Sequence, residues 1–361
     1  MNLTGLLLGR RLANNEQEDK KIGWVEGVPA MGLDGLGSSS YGPEAALTIL
    51  IPLGALGLVY LGPVMAVIIA VLLILYLSYR QTLAAYPTSG GAYAVAKENL
   101  GEYPSLLAAA ALMIDYILNV AVGVSAGVGA LVSAIPALHP YILPLSIGIV
   151  IVVTVANLRG TGEAGWLFAL PTYLFIASFL GVVGWGLIRI AIEGDPAPVV
   201  PPPPLGPVVG GASLWLLMHP FASGCTAMTG VEAVSNGVGS FREPVLRNAT
   251  LTLTIIVAVL GLLLGGIATL ATVFEIGAMD QAETGYQSVL SQLVGAVAGR
   301  NAFYYVAMAS LLAILCLSAN TSFVGFPRVC RMVAADGYLP RVFAQPGRRL
   351  VFTAGILFLS S

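Results

Sequence analysis

Along this chain apolar residues do not alternate with polar ones; they run together. Continuous stretches rich in leucine, alanine, valine and glycine occupy residues 29–53, 55–79, 103–133, 141–157, 166–192, 213–239, 248–273 and 302–327, and a ninth begins near 350. A helix needs about 20 mostly apolar residues to cross a bilayer, whereas a membrane strand shows roughly ten residues of alternating character. Each run therefore predicts a spanning helix, and the chain reads as an all-α polytopic membrane protein.

Two runs are interrupted by polar and small residues. The first is dense in glycine, serine and proline between Met31 and Glu44, which predicts unwinding around Gly35, Gly37 and Ser38; the sixth carries Gly224, Thr226, Thr229, Gly230 and Glu232 in close succession. Backbone freed from helical hydrogen bonds inside a bilayer is tolerated only where protein or a wet cavity satisfies it. Each break thus predicts a cavity. Discontinuous helices 1 and 6, five spans apart and entering from opposite sides, are the pattern of an inverted five-helix repeat with the substrate between the breaks. The boundaries that follow are a cytoplasmic N-terminal segment 1–28, a first repeat 29–192 (helices 1–5), an external proline-rich loop 193–212 and a second repeat 213–361 (helices 6–8 and the start of a ninth). A further long external connection is expected at 274–301.

Composition agrees with the pattern. Of the 361 residues 57% are hydrophobic and 9% charged, with a mean hydropathy of +0.88, so lipid is the solvent for most of the chain. If the N-terminus is cytoplasmic, all of the 16 basic residues except Arg189 and Arg300 fall on the inner side, which orients the protein in the cell (inner) membrane. The net charge of −2 forms no nucleic-acid surface. No phosphate-binding glycine loop, metalloprotease or nucleophile-elbow spacing occurs, so an enzyme, a cofactor and a structural metal are not expected. Cys225, Cys316 and Cys330 lack paired spacing and read as buried small residues.

Against this background the acids inside spans stand out. Asp34, Asp115 and Glu232 each fall within a predicted helix, where an unpaired charge costs at least about 2.5 kcal/mol. Asp115, Asn119 and Gly123 are spaced by four and share one face of the third span, beside Tyr116. That face is expected to wall the site between the two breaks. Glu44, just after Pro43, is expected to serve a helix N-terminus. His219 reads as a packed residue rather than a proton relay, and His139 as a solvated one.

The residues then show a resemblance. The Pro-Thr-Ser-Gly-Gly-Ala-Tyr run at 87–93, the segment from Thr229 through Phe241 to Pro244, the run from Ala319 to Ser322 and the run from Asp336 to Pro340 resemble motifs of the amino acid-polyamine-organocation superfamily, of LeuT/APC-type fold. Within it, the segment from Asp34 through Tyr41 to Glu44, the pair Asp115 and Tyr116, and the run Thr229–Glu232 are most similar to KimA-type potassium uptake transporters, which are proton-coupled. That resemblance implies that Asp34, Tyr41, Asp115, Tyr116, Thr229 and Glu232 line the ion path, with Tyr41 near the inner gate. The chain departs from the branch at Asn119 and Gly123, where threonine and serine hydroxyls are the pattern; Asn119 still offers a carbonyl oxygen, Gly123 no side-chain ligand. The family's further spans imply that the C-terminal part is missing, together with a cytosolic domain that binds a cyclic dinucleotide.

Three functions follow as expectations. Carboxylates and oxygen donors around the breaks suit a hard cation, giving proton-coupled potassium uptake. A proton-coupled amino acid permease is the alternative, its substrate carboxylate meeting the half-helix at Gly35–Ser40. A non-transporting sensor or a channel is the third. The partners implied are potassium or an amino acid, a proton, the lipid bilayer and a second copy of the chain as a homodimer.

Overall fold

A computed structural model describes residues 21–86, 91–159, 165–208, 213–283, 285–345 and 352–361. Most of the N-terminal segment and the first four residues of the 87–93 run lie outside the described residues.

The first predicted span folds as two pieces, α1 (Trp24–Met31) and α2 (Leu33–Leu50). After it come α3 (Ala55–Ala85), the short α4 (Ala92–Leu100), α5 (Glu102–Ala134), α6 (Ile142–Arg159) and α7 (Gly165–Glu193). The sixth span is α8 (Leu214–Gly224), a 3-10 turn (Cys225–Met228) and the one-turn α9 (Ala233–Asn236). Then follow α10 (Val245–Val273), α11 (Val289–Ala298), α12 (Ala302–Ala335) and α13 (Thr353–Ser360). Among the described residues six helices are long and apolar enough to cross a membrane: α3, α5, α6 with the turn before it, α7, α10 and α12. The chain is an all-α, multi-pass membrane protein.

The expected first span starts too late. Its helix begins at Trp24, five residues before the expected 29, and Gly27, Val28 and Pro29 are buried while Trp24, Val25 and Glu26 are exposed. Just before them Ile22 pairs with the segment after the broken sixth span, its N–H donating to Ser240 and its carbonyl accepting from Arg242.

The unwinding expected at Gly35, Gly37 and Ser38 is corrected: all three lie inside α2, and the interruption is the single residue Gly32. The reason is local. The hydroxyls of Ser38, Ser39 and Ser40 donate to the carbonyls of Gly35, Leu36 and Gly37 at 2.8, 2.6 and 2.5 Å, so they are satisfied along the helix instead of competing with it. Glycine costs a helix about 1 kcal/mol relative to alanine, and burial of every residue from Leu33 to Pro43 offsets it. The second break is real. After Gly224 the chain tightens, turns at Thr229–Glu232 and passes through Gly230 at φ +76° before α9 resumes.

α2 is central, packing against α8, α10 and α12, while α12 runs along α5. Lipid supplies little drive for helix association, so close backbone approach matters. At Gly123 of α5 a Cβ would stand 3.4 Å from the Leu315 carbonyl of α12, so the two backbones approach to contact distance at that register.

The connection expected at 274–301 is not an open loop. It holds α11, whose residues Val289–Val297 are all buried. The proline-rich segment is a strap across it: the N–H groups of Val199 and Val200 donate to the carbonyls of Ala296 and Gly295 at 2.8 and 3.2 Å, satisfying last-turn acceptors of α11.

Candidate functional site

Asp34 is the second residue of α2, at a helix N-terminus where a carboxylate is favoured, and only 2% of it is exposed. Gly230, in the break of the sixth span, comes so near that a Cβ there would stand 2.5 Å from the Asp34 Cβ. Its φ of +76° lies in the left-handed region that glycine adopts without strain. The broken span is thereby seated directly on the acid.

Hydroxyls complete the surroundings of Asp34. Oδ1 accepts from Ser318 of α12 at 3.2 Å and from Thr229 at 3.3 Å. Thr229 Oγ1 lies 3.3 Å from the Tyr41 hydroxyl, which donates to Asn119 Oδ1 at 3.1 Å. Asn119 Nδ2 donates in turn to Ser322 Oγ at 2.9 Å. One connected set of oxygens thus joins α2, the broken span, α5 and α12. Ser38 ties the break to α2 a second time, its one hydroxyl proton shared between the Gly35 carbonyl and the Ala227 carbonyl at 2.9 Å.

Of the residues expected at the site, Asp34, Tyr41, Asn119 and Thr229 meet by hydrogen bonds. Asp115 and Glu232 stand apart from that set, half-buried, but their charges act on Asp34 and that of Asp115 acts on Glu232. Glu232 itself is the residue that precedes the first turn of α9. Tyr116 is buried with its ring over Gly325 of α12, where a Cβ would stand 2.6 Å from the ring carbon Cζ. Gly224 closes α8, and Gly35 faces the Thr229 carbonyl from inside α2.

Tyr41 is seven residues beyond Asp34 along α2, about 10 Å at helical rise, and faces the start of α11. The expected place of Glu44 is corrected. Glu44 caps no start of its own helix; it lies within α2, and its carboxylate reaches the N-terminus of α11. His219 is exposed with its ring 4.6 Å from Trp215, apart from the site. His139 is half-buried, and its Nε2 meets no partner among the described residues.

Ser318 and Ser322 were missed by sequence reasoning. Their spacing of four puts both on one face of α12, and Ser322 closes one of the motifs quoted above. That signal was present, but hydroxyls in a helix usually bond to their own turn, so only packing reveals which ones face a neighbour.

The sequence model of the family described as amino acid permease matches residues 36–360. The chain is also 41% identical over 353 residues to the potassium transporter KimA of Bacillus subtilis (strain 168), a match that covers 98% of this chain and 57% of that protein. The chain therefore spans little more than half the length of the curated relative it matches.

Proposed function

Because this chain belongs to the amino acid permease family, we propose that it forms the membrane part of a secondary transporter that takes up potassium with protons by alternating access. The observation that carries this reading is the connected oxygen set around Asp34. A carboxylate, the hydroxyls of Thr229, Ser318, Tyr41 and Ser322 and the amide oxygen of Asn119 are linked one to the next by hydrogen bonds. Such oxygens replace the hydration shell of a weakly hydrated cation, and the buried negative charge favours a cation over a neutral solute. The name of the relative that shares 41% identity points the same way.

Proton coupling follows from the two further acids. Asp115 and Glu232 lie within electrostatic reach of Asp34, so a cation arriving at Asp34 changes how readily its neighbours hold protons. An inverted repeat would place this site between two halves that rock about it, with the N-terminus in the cytoplasm of a cell whose inner membrane holds the protein.

An amino acid substrate is the second reading, favoured by the family's description. It needs free N–H donors for the substrate carboxylate, yet Gly35–Ser40 lies inside α2 and from Leu36, whose N–H donates to the Gly32 carbonyl, the backbone is engaged in the helix, which leaves the cation reading ahead. The deciding experiment expresses the protein in a potassium-uptake-deficient strain. Rescue of growth at limiting potassium, abolished by a protonophore, supports the proposal. Accumulation of a labelled amino acid without rescue overturns it, protonophore-insensitive flux indicates a channel, and no flux of either solute indicates a sensor.

A further inference from the structure

Glu44 is an acid within a membrane helix that the site around Asp34 does not use. It sits three residues beyond Tyr41 on α2, and both its oxygens are engaged: Oε1 accepts from the Tyr286 hydroxyl at 2.8 Å and Oε2 from the Val289 N–H at 3.3 Å. Val289 is the first residue of α11, so this N–H is one of the donors that a helix leaves without an internal partner. The carboxylate satisfies it and also meets the positive end of the α11 dipole. Arg189 does the reverse at the other end, its guanidinium donating to the Ala296 carbonyl at 3.5 Å and to Ala197 of the strap at 2.8 Å.

α11 is therefore held at both ends, but by different partners. Its C-terminus is held by Arg189 of α7 and by the strap. Near its start, Ser288 N–H donates to Ser133 of α5 at 2.8 Å, and Ser291 meets Tyr304 of α12 at 2.7 Å. Among the described residues, both hydrogen bonds that join this segment to α2 end on Glu44. Between Tyr41 and α11 lies a cavity of about 10 Å³ bordered by Ser40, Tyr41, Glu44 and Ser288, close to the smallest volume that admits one water. Ala126, Ala130, Leu290, Leu311 and Leu315 complete its mostly apolar lining, so the gap lies between the site on one side and α11 on the other.

We propose that Glu44 is a positioning residue that latches α11 onto α2 and so closes the α11 side of the path past Tyr41. Releasing the carboxylate frees the start of α11 from the helix that carries Asp34 and Tyr41, and opens the cavity at Ser40. The inference goes beyond the transport reading and does not depend on the transported solute.

The test reads local opening without flux. Ser40→Cys is introduced into the protein in lipid nanodiscs, and maleimide modification of that cysteine and of the buried native Cys330 is followed peptide by peptide. With Glu44→Ala the residue-40 thiol is expected to react roughly tenfold faster, the scale on which one charge-assisted hydrogen bond shifts an equilibrium, while Cys330 reacts as before. Tyr286→Phe, which removes a single hydroxyl, is expected to give a smaller rise and carries the test alone if Glu44→Ala yields no folded protein. Unchanged reactivity of the residue-40 thiol in the variants that fold, or equal acceleration at both thiols, overturns the latch, the second outcome because it reports general loosening.

Discussion

Gly230 and Asp34 meet at a distance that leaves no room for a methyl group: a Cβ on the glycine would stand 2.5 Å from the Cβ of the aspartate and 2.7 Å from its carboxyl carbon. The break in the sixth span and the acid of the first are thus one construction. Gly230→Ala would meet both the clash and the left-handed backbone, the latter alone costing about 1–2 kcal/mol. The expected outcome is a lower Tm in detergent and loss of potassium-dependent stabilisation. A variant that melts and responds like the parent protein would show that the contact is not needed.

Ser318 bonds Asp34 across 284 positions of sequence. Ser318→Ala removes one donor from the buried carboxylate and one oxygen from the set, so potassium affinity is expected to fall about tenfold, the equivalent of roughly 1.4 kcal/mol. Isothermal titration of the single variants and of the Ser318→Ala, Asp34→Asn pair gives the coupling between them. Strict additivity would deny that the two act together.

Asp115 is half-buried and outside the hydrogen-bonded set, so Asp115→Asn is expected to leave insertion unchanged and stability within about 0.5 kcal/mol of the parent protein. Proton dependence of uptake, or uptake itself, is expected to disappear. Normal proton-coupled uptake by the variant removes Asp115 from the mechanism.

At the end of α12, Asp336 accepts from Tyr93 at 2.6 Å and pairs with Lys97 at 2.6 Å, joining α4 to α12. The Lys97 ammonium, then the Tyr93 hydroxyl, hold its carboxyl below the ordinary carboxylate range. A depressed folded-state value means that this contribution to stability is present above the unfolded-state value of about 3.9 and is lost as pH falls through the lower folded-state value. The pair is part-exposed, which limits its worth to less than about 1 kcal/mol. Asp336→Asn should therefore lower Tm slightly and equally from pH 8 to pH 5, with the difference vanishing only under strong acid. A difference that changes between pH 5 and pH 8 would assign the effect to another group.

Much of the architecture was legible in the residue pattern. Apolar runs marked α3, α5, α6, α7, α10 and α12 to within a few residues at most ends, although α12 continues eight residues past the expected boundary at 327. Intramembrane acids and the face of α5 pointed to Asp34 and Asn119. The glycines of α2 misled, because composition was read as unwinding where the serine hydroxyls and dense packing keep the helix whole. Segment 274–301 misled in the other direction, since ten residues of α11 are too few to register as a span.

The sequence by itself determined where the chain crosses lipid, because burying about 20 apolar residues with their backbone hydrogen-bonded is a property that each run carries alone. Which polar groups meet was decided only by the tertiary structure. Asp34 finds Ser318, Tyr41 finds Asn119 and Glu44 finds Val289, and each pairing depends on the register at which helices distant in sequence pack. A hydroxyl is satisfied equally well by its own turn or by a neighbour, and a carboxylate inside a helix needs donors from elsewhere, so the choice belongs to the packing.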